Sequence, residues 1–394
     1  MLSFLPGPIL LVFNLVVLSV VTLILALPIF VGALIRLILP LKPVLKGLDS
    51  LYQFIFWIWA HFLSFEIALT NKTKWDIAGL DQVKVNGACM IISNHLSWAD
   101  IVMLIVLYRG RIPITKFFLK HSLIYIPIIG QVCFALGMPF LRRYTRSEIL
   151  KNPKLKTKDL DATRKACLSV IEHPSTLVNF VEGTRYTKAK AKAQKSPYQN
   201  LMPPKAASLA VALGIIGPKL DCILNTTLQY PKNDGGKVFI DLLKGRLHEV
   251  IARVEVIPAQ TIQNELTGDY MTDKQFKRRF TQKLRDLWQA KDEQIAQLLG
   301  ITYQRPEPEA EAKPTTEATA ETKTENNAET KAENNAETKP EAVAESKAES
   351  TAEPVAESKP EPAVAAKPEA EPASTEAKPA AEEAKPEPQD AASK

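Results

Sequence analysis

The chain is poor in the residues that build metal, redox and nucleotide sites. Four cysteines occur in 394 residues, Cys89, Cys133, Cys167 and Cys222, with no C-x2-C pair and no metal-like spacing. Each lies in an apolar context, where buried reduced thiols are expected. His61, His121, His173 and His248 have no ligand-type partner at useful spacing, so no metal site is expected. Glycine-rich phosphate loops are missing too. There is no Walker loop and no Rossmann fingerprint, and Ser97 lacks the flanking glycines of a hydrolase nucleophile. Residues 305–394 contain no Leu, Ile, Phe, Trp, Tyr, Met or Cys. Such a segment cannot bury enough apolar area to offset its ordering entropy, so an acidic, disordered tail rich in Glu, Ala, Lys and Pro is expected there.

That tail hides the charge of the rest. The whole chain carries +6, the tail alone −11 and residues 1–304 therefore +17. A basic body suits a polyanionic partner: nucleic acid, an anionic membrane or phosphorylated small molecules. The N-terminus separates these. Ile9 to Leu39 is almost continuously apolar, beyond the ~20 residues that cross a hydrocarbon core. With no basic n-region it reads as retained rather than as a signal peptide. Leu51 to Leu69 is a second apolar stretch, dense in Phe and Trp, which suits the headgroup interface. One span or re-entrant hairpin plus an interfacial helix is therefore expected. Arg36, Lys42 and Lys46 follow the first run, and the positive-inside rule puts that flank in the cytoplasm. With no recognisable RNA- or DNA-binding motif, a membrane is preferred to nucleic acid.

Three parts follow: a membrane anchor with its interfacial helix (1–70), a catalytic domain (71–304) and the tail (305–394). Within the middle part, short apolar runs alternate with helical patterns. Strands are expected at Val83–Val85, Cys89–Ser93, Ile114–Phe118, Met138–Leu141, Leu177–Val181, Ile223–Gln229, Val238–Leu243 and near Glu249–Ile257. Helices are expected after His95, near His121–Gly130, and over Asp159–Glu172, Lys205–Leu213 and Thr272–Leu299, the last with Thr272 as N-cap. Strands separated by helices imply an α/β fold with a mainly parallel sheet flanked by helices. In such folds chemistry gathers at the strand ends.

One strand runs straight into Asn94-His95-Leu96-Ser97-Trp98-Ala99-Asp100. A neutral imidazole can take a proton from an alcohol near neutral pH, and a nearby carboxylate fixes its tautomer and stabilises the imidazolium. Ser97 and Asp100 equally fit an N-cap serine with an acid at N3. Three more segments follow: Gly137-Met138-Pro139-Phe140-Leu141-Arg142-Arg143, Phe180-Val181-Glu182-Gly183-Thr184-Arg185, and Leu201-Met202-Pro203-Pro204-Lys205-Ala206-Ala207.

In this order, behind an apolar N-terminus, the four segments resemble the glycerophospholipid acyltransferases, which make phosphatidic acid by acylating lysophosphatidic acid. That family shows an N-H-x4-D block, an apolar strand ending in Arg, F-P-E-G-T-R and a proline-bearing fourth block. The resemblance covers about Ile77 to Lys244. Val181 stands where the family usually has proline, Arg142 where it often has an acid, and Ile223–Thr227 lacks the fourth-block proline. The Phe-Val-Glu-Gly-Thr-Arg variant is similar to a bacterial inner-membrane branch of lysophospholipid acyltransferases. The departures leave the reaction class intact and the acceptor open.

The resemblance implies acyl transfer from an acyl-CoA or acyl-carrier-protein thioester to a lysophospholipid hydroxyl, without a cofactor, at the inner membrane with the catalytic domain facing the cytoplasm. 1-Acylglycerol-3-phosphate is the leading acceptor. Another lysolipid such as lysophosphatidylglycerol, or a catalytically silent membrane scaffold, are the alternatives. His95 is then the general base and Asp100 its orienter. Arg143 is suited to a bidentate clamp on the acceptor phosphate, and Arg185 is the second phosphate candidate. Glu182 beside the permissive Gly183 organises the arginines or receives a hydroxyl. Thr184 donates to phosphate or forms the turn. Lys205 opens a helix, where anions bind well. Lys188, Lys190, Lys192 and Lys195 form a basic loop, solvated or facing anionic lipid and donor phosphates.

Overall fold

The computed structural model describes residues 2–142, 150, 152, 163–165, 167–233 and 237–304. Its helices are α1 (Gly7–Ile38), α2 (Lys42–Thr70), α3 (Ala99–Leu107), α4 (Ile129–Ala135), α5 (Lys188–Ala193), α6 (Ala206–Ile216), α7 (Val238–Leu243) and α8 (Lys274–Leu299). Its strands are β1 (Lys74–Ala78), β2 (Cys89–Ser93), β3 (Thr115–Phe117), β4 (Leu119–Lys120), β5 (Phe140–Leu141), β6 (Thr176–Phe180), β7 (Cys222–Gln229) and β8 (Glu249–Pro258).

Six strands form one sheet in the order β1-β8-β7-β2-β6-β3. Every neighbouring pair is parallel except β7 with β8. All five residues of β2 and all eight of β7 are buried, as strands covered on both faces must be. Alternation then divides β2 between two cores. Cys89 and Ile91 pack with α2, α3 and α7, while Met90 and Ile92 pack with α6 and α8. The result is a sheet between two helical layers. The expected α/β architecture with a mostly parallel sheet is what forms.

Several element assignments change. Val83–Val85 is not a strand; Val83 is buried in the first core, and β1 forms one of the two edges of the sheet. Val238–Leu243 is helix rather than strand. A six-residue apolar run carries no decisive period, and the helix turns Val238 and Leu242, four residues apart, into the same core. The segment from His121 splits into a 3-10 turn, His121–Tyr125, and α4, with Pro127 between them. Helix α8 is capped by Asp273, whose carboxylate accepts from the amides of Gln275 (2.8 Å) and Phe276 (3.0 Å), so the cap lies one residue beyond Thr272. The basic segment after the third block is partly helical, as α5.

α1 and α2 fold back on each other: Tyr52 Oη donates to the Ile29 carbonyl (3.2 Å), and Arg36 pairs with Asp49 (3.0 Å). Both are long and apolar enough to cross a membrane. They are also tied to the body. Gln53 bridges the Pro174 carbonyl and the Ile114 amide, each at 2.7 Å, and Asn14 donates to the Leu243 carbonyl at 2.8 Å. Val16, Val20, Leu23, Leu27 and Leu34 of α1 remain exposed, an apolar surface that suits membrane association.

Candidate active site

Strands β2 and β6 lie in parallel register with Ser93 opposite Phe180, and β7 places Thr226 opposite Ser93. The segments leaving β2 and β6 therefore emerge side by side at one end of the sheet. Asn94 fastens the first of them. Its Nδ2 donates to the Leu228 carbonyl and its Oδ1 accepts from the Leu228 amide, both at 2.9 Å. This pair of bonds leaves His95 just past the sheet edge.

His95 Nδ1 sits 2.8 Å from Asp100 Oδ2. The same oxygen accepts the amides of Leu96 (2.6 Å) and Ser97 (2.9 Å). Oδ1 accepts the Tyr230 hydroxyl (2.8 Å). Asp100, fully buried, thus gathers the imidazole and two amides of the turn before α3, whose N-cap Trp98 has no side-chain cap bond. An ionised carboxylate with these donors orients Nδ1–H toward itself and leaves Nε2 as the basic ring atom. The ring stacks on Phe180, centroids 4.0 Å apart and planes 15° from parallel. The Tyr186 amide donates to the His95 carbonyl (2.7 Å), so the third block grips the histidine from both sides. Burial, then the adjacent Asp100 carboxylate, push the Tyr230 phenol well above its usual range; it stays a donor.

The third block makes a tight turn. Gly183 has φ +70°, and a Cβ there would stand 3.0 Å from Lys205 Cδ. Lys205, exposed, donates its own amide to the Val181 carbonyl (2.8 Å), which joins the third and fourth blocks. Thr184 Oγ1 accepts from Lys190 Nζ (2.9 Å). The Arg185 guanidinium lies over the Trp98 ring, 5.2 Å from its centroid, beside the first block. Arg143 lies outside the described residues, as does all of the tail; of the expected helix Asp159–Glu172, residues 163–165 and 167–172 are described and helical, and the rest lies outside the described residues.

Glu182 is 1% exposed and points inward. Oε2 accepts the Met202 amide at 3.3 Å, and Oε1 meets no partner at hydrogen-bond geometry among the described residues. Burial pushes its carboxyl well above the usual range, against the opposing pull of the Met202 and His95 amides and of Lys291.

Sequence reasoning missed four contributors. Asn94 and Phe180 sit inside the quoted blocks, but their roles need the sheet register. Tyr230 carries no local signal. Lys291 did leave one: Phe276, Phe280, Leu284, Trp288 and Ile295 trace the buried face of α8, and Lys291 and Asp292 fall on that stripe.

A cavity of about 1130 Å³ lies elsewhere. It opens between α2 and the starts of β3 and β6, lined by Arg36, Asp49, Gln53, Lys116 and His173. Neither His95, Asp100, Glu182 nor Arg185 lines it.

A histidine held by a buried carboxylate at the mouth of a parallel sheet, with cationic side chains on the adjoining turns, suits base-assisted group transfer to a hydroxyl. The family model named Acyltransferase matches residues 74–223. The match covers 150 of the 394 residues and identifies that segment as an acyltransferase domain. No curated protein matches it. Among solved structures it is similar to the 1-acyl-sn-glycerophosphate (LPA) acyltransferase PlsC from Thermotoga maritima, with 14% identity, a TM-score of 0.38, and coverage of 73% of this chain and 99% of that one.

Proposed function

We propose that this protein is a membrane-bound O-acyltransferase that moves an acyl chain from a thioester to the free hydroxyl of a lysophospholipid, with 1-acylglycerol-3-phosphate as acceptor and phosphatidic acid as product. The observation that carries the reading is the His95–Asp100 pair, stacked on Phe180 and bordered by the Glu182–Arg185 turn. His95 Nε2 takes the hydroxyl proton as the oxygen attacks the thioester carbonyl. The carbon–sulfur bond then breaks, and the imidazolium returns the proton to the departing thiolate. The thiol is a good leaving group, so no covalent enzyme intermediate is needed. Asp100 holds the tautomer and balances the imidazolium charge. Arg185, with Arg143 by resemblance, binds the acceptor phosphate. The donor is an acyl-CoA or acyl carrier protein, and no cofactor enters. The apolar hairpin α1–α2 holds the catalytic domain on the cytoplasmic face of the inner membrane, where the basic flank Arg36, Lys42 and Lys46 belongs.

The test is radiolabelled acyl transfer in isolated membranes, with both donors and a panel of lysolipids. His95→Ala is expected to lower turnover by ~10²–10⁴-fold while expression and membrane insertion persist. Near wild-type turnover by His95→Ala would end the mechanism. Preference for lysophosphatidylglycerol over lysophosphatidic acid would move the acceptor and leave the base.

A further inference from the structure

We propose that the cavity beside α2 is a second anion-binding site, which takes the phosphate headgroup of an anionic membrane phospholipid at the end of the sheet opposite His95. Such a site is independent of the acyl-transfer reading.

Strands β2, β3 and β6 run parallel. The cavity is walled by the segments that enter them: Asn86 before β2, residues 110–114 before β3, and His173 and Pro174 before β6. His95 follows the other end of β2, so the length of the strands separates the two places. Gln53, Phe54 and Trp57 of α2 line the cavity from the other side.

The lining is rich in cations. Arg36, Lys42, Lys46, Arg109, Arg111 and Lys116 stand against two acids, Asp49 and Glu172. Asp49 is already engaged, by Arg36 at 3.0 Å and by His173 Nδ1 at 2.6 Å. Arg109 and Arg111 donate to neutral acceptors, the Val106 (2.7 Å) and Leu80 (3.4 Å) carbonyls. Lys116 is 4% exposed, and among the described residues its Nζ reaches only the Ser169 hydroxyl, at 3.4 Å. Burial brings this ammonium down to about 8. Beside it, Thr115 is 1% exposed, and its Oγ1 has no partner among the described residues. Buried donors that lack acceptors are costly. Phosphate oxygens supply the missing acceptors through charge-assisted hydrogen bonds. Side chains alternate along a strand, but β3 is an edge of the sheet, so a headgroup lying around that edge meets both residues.

The cavity's size and its α2 wall favour a lipid over free phosphate. About 1130 Å³ is on the scale of a pocket for an organic ligand. Phe54 and Trp57 line it and remain exposed, which makes it continuous with the surface of a helix long and apolar enough to cross a membrane. Lys42 and Lys46 are exposed at the start of that helix, where they draw anionic lipid toward the opening.

The test uses the full chain purified in neutral detergent, with melting temperature read against added phosphatidylglycerol, phosphatidylcholine or inorganic phosphate. Phosphatidylglycerol is expected to raise the wild-type melting temperature saturably, and the other two to leave it unchanged. Lys116→Met should melt higher than wild type without lipid, because an unpaired buried charge is gone. It should also bind phosphatidylglycerol roughly 10–100-fold more weakly, the loss of a hydrogen bond to a charged group. Arg109→Gln combined with Arg111→Gln should weaken binding about tenfold, and reads the site even where Lys116→Met does not fold. Two controls should keep the wild-type response: Lys274→Gln with Arg278→Gln, exposed on α8 and outside the cavity, and Arg185→Ala at the active site. Equal weakening by the α8 pair would mean that surface charge alone is at work. Loss of the response in Arg185→Ala would put the lipid in the active site, and an equal response to phosphate would make the ligand a soluble anion. Each of these, or a full response in the cavity variants, overturns the proposal.

Discussion

Asp100 allows two substitutions that the structure separates sharply. Its carboxylate accepts from His95 Nδ1, the Leu96 and Ser97 amides and the Tyr230 hydroxyl. Asp100→Ala removes all four acceptances and leaves three donors besides the imidazole unpaired in a buried place. At ~1–3 kcal/mol each this is roughly 3–9 kcal/mol, comparable to the whole stability of a domain of ~5–15 kcal/mol. That variant is expected to fold poorly. Asp100→Asn keeps the shape. The two backbone amides require an oxygen in the Oδ2 position, so the side-chain NH2 turns toward Tyr230, whose hydroxyl can rotate to accept. The imidazole keeps its tautomer, and what disappears is the negative charge that balances the imidazolium. Stability should stay within about 2 kcal/mol of wild type, since a neutral acceptor replaces a charged one. Turnover should fall by about 10²-fold, within the range of a general-base contribution. The assay pairs thermal melting of purified protein with acyl transfer to lysophosphatidic acid under saturating donor. Turnover of Asp100→Asn within a few-fold of wild type would show that the carboxylate charge is not used. Equal melting temperatures for the alanine and asparagine variants would show that the four-donor count is wrong.

Gly183→Ala places a side chain at φ +70° and against Lys205, with an expected cost of ~1–2 kcal/mol, read as a lowered melting temperature and a raised KM for the acceptor. Arg185→Ala should raise the KM for a phosphate-bearing lysolipid with a smaller change in kcat. Lysine should rescue it poorly, because it lacks the planar fork that lies over Trp98; a change confined to the donor KM would assign the wrong substrate to this turn. Truncation after Tyr303 removes a segment with twice as many acids as bases and is expected to retain specific activity in membranes. Loss of activity with the body still folded would make the tail part of the working enzyme.

Much of the fold and half of the site are written locally. Cys89–Ser93 is a short apolar run ending at a polar block, and that alone marks a buried strand with chemistry at its end. His95 and Asp100 are five residues apart, close enough for a strand-to-helix turn to bring them together without help from distant chain. The buried stripe of α8 is equally local, since residues three and four apart share a helix face whatever surrounds them.

Tertiary structure decided the rest. Val238–Leu243 is too short for its period to choose between helix and strand, and only the core it packs into makes it a helix. Phe180 reaches His95 because β2 and β6 pair with Ser93 opposite Phe180; a slip of one residue would turn the ring to the other face of the sheet. Tyr230 reaches Asp100 across 130 residues, and Lys291 reaches Thr226 across 65. Local sequence fixes which residues share a turn or a face. Which distant turn meets which is set by strand register and by the closing of two cores on one sheet, and neither leaves a mark in the spacing of the residues that meet.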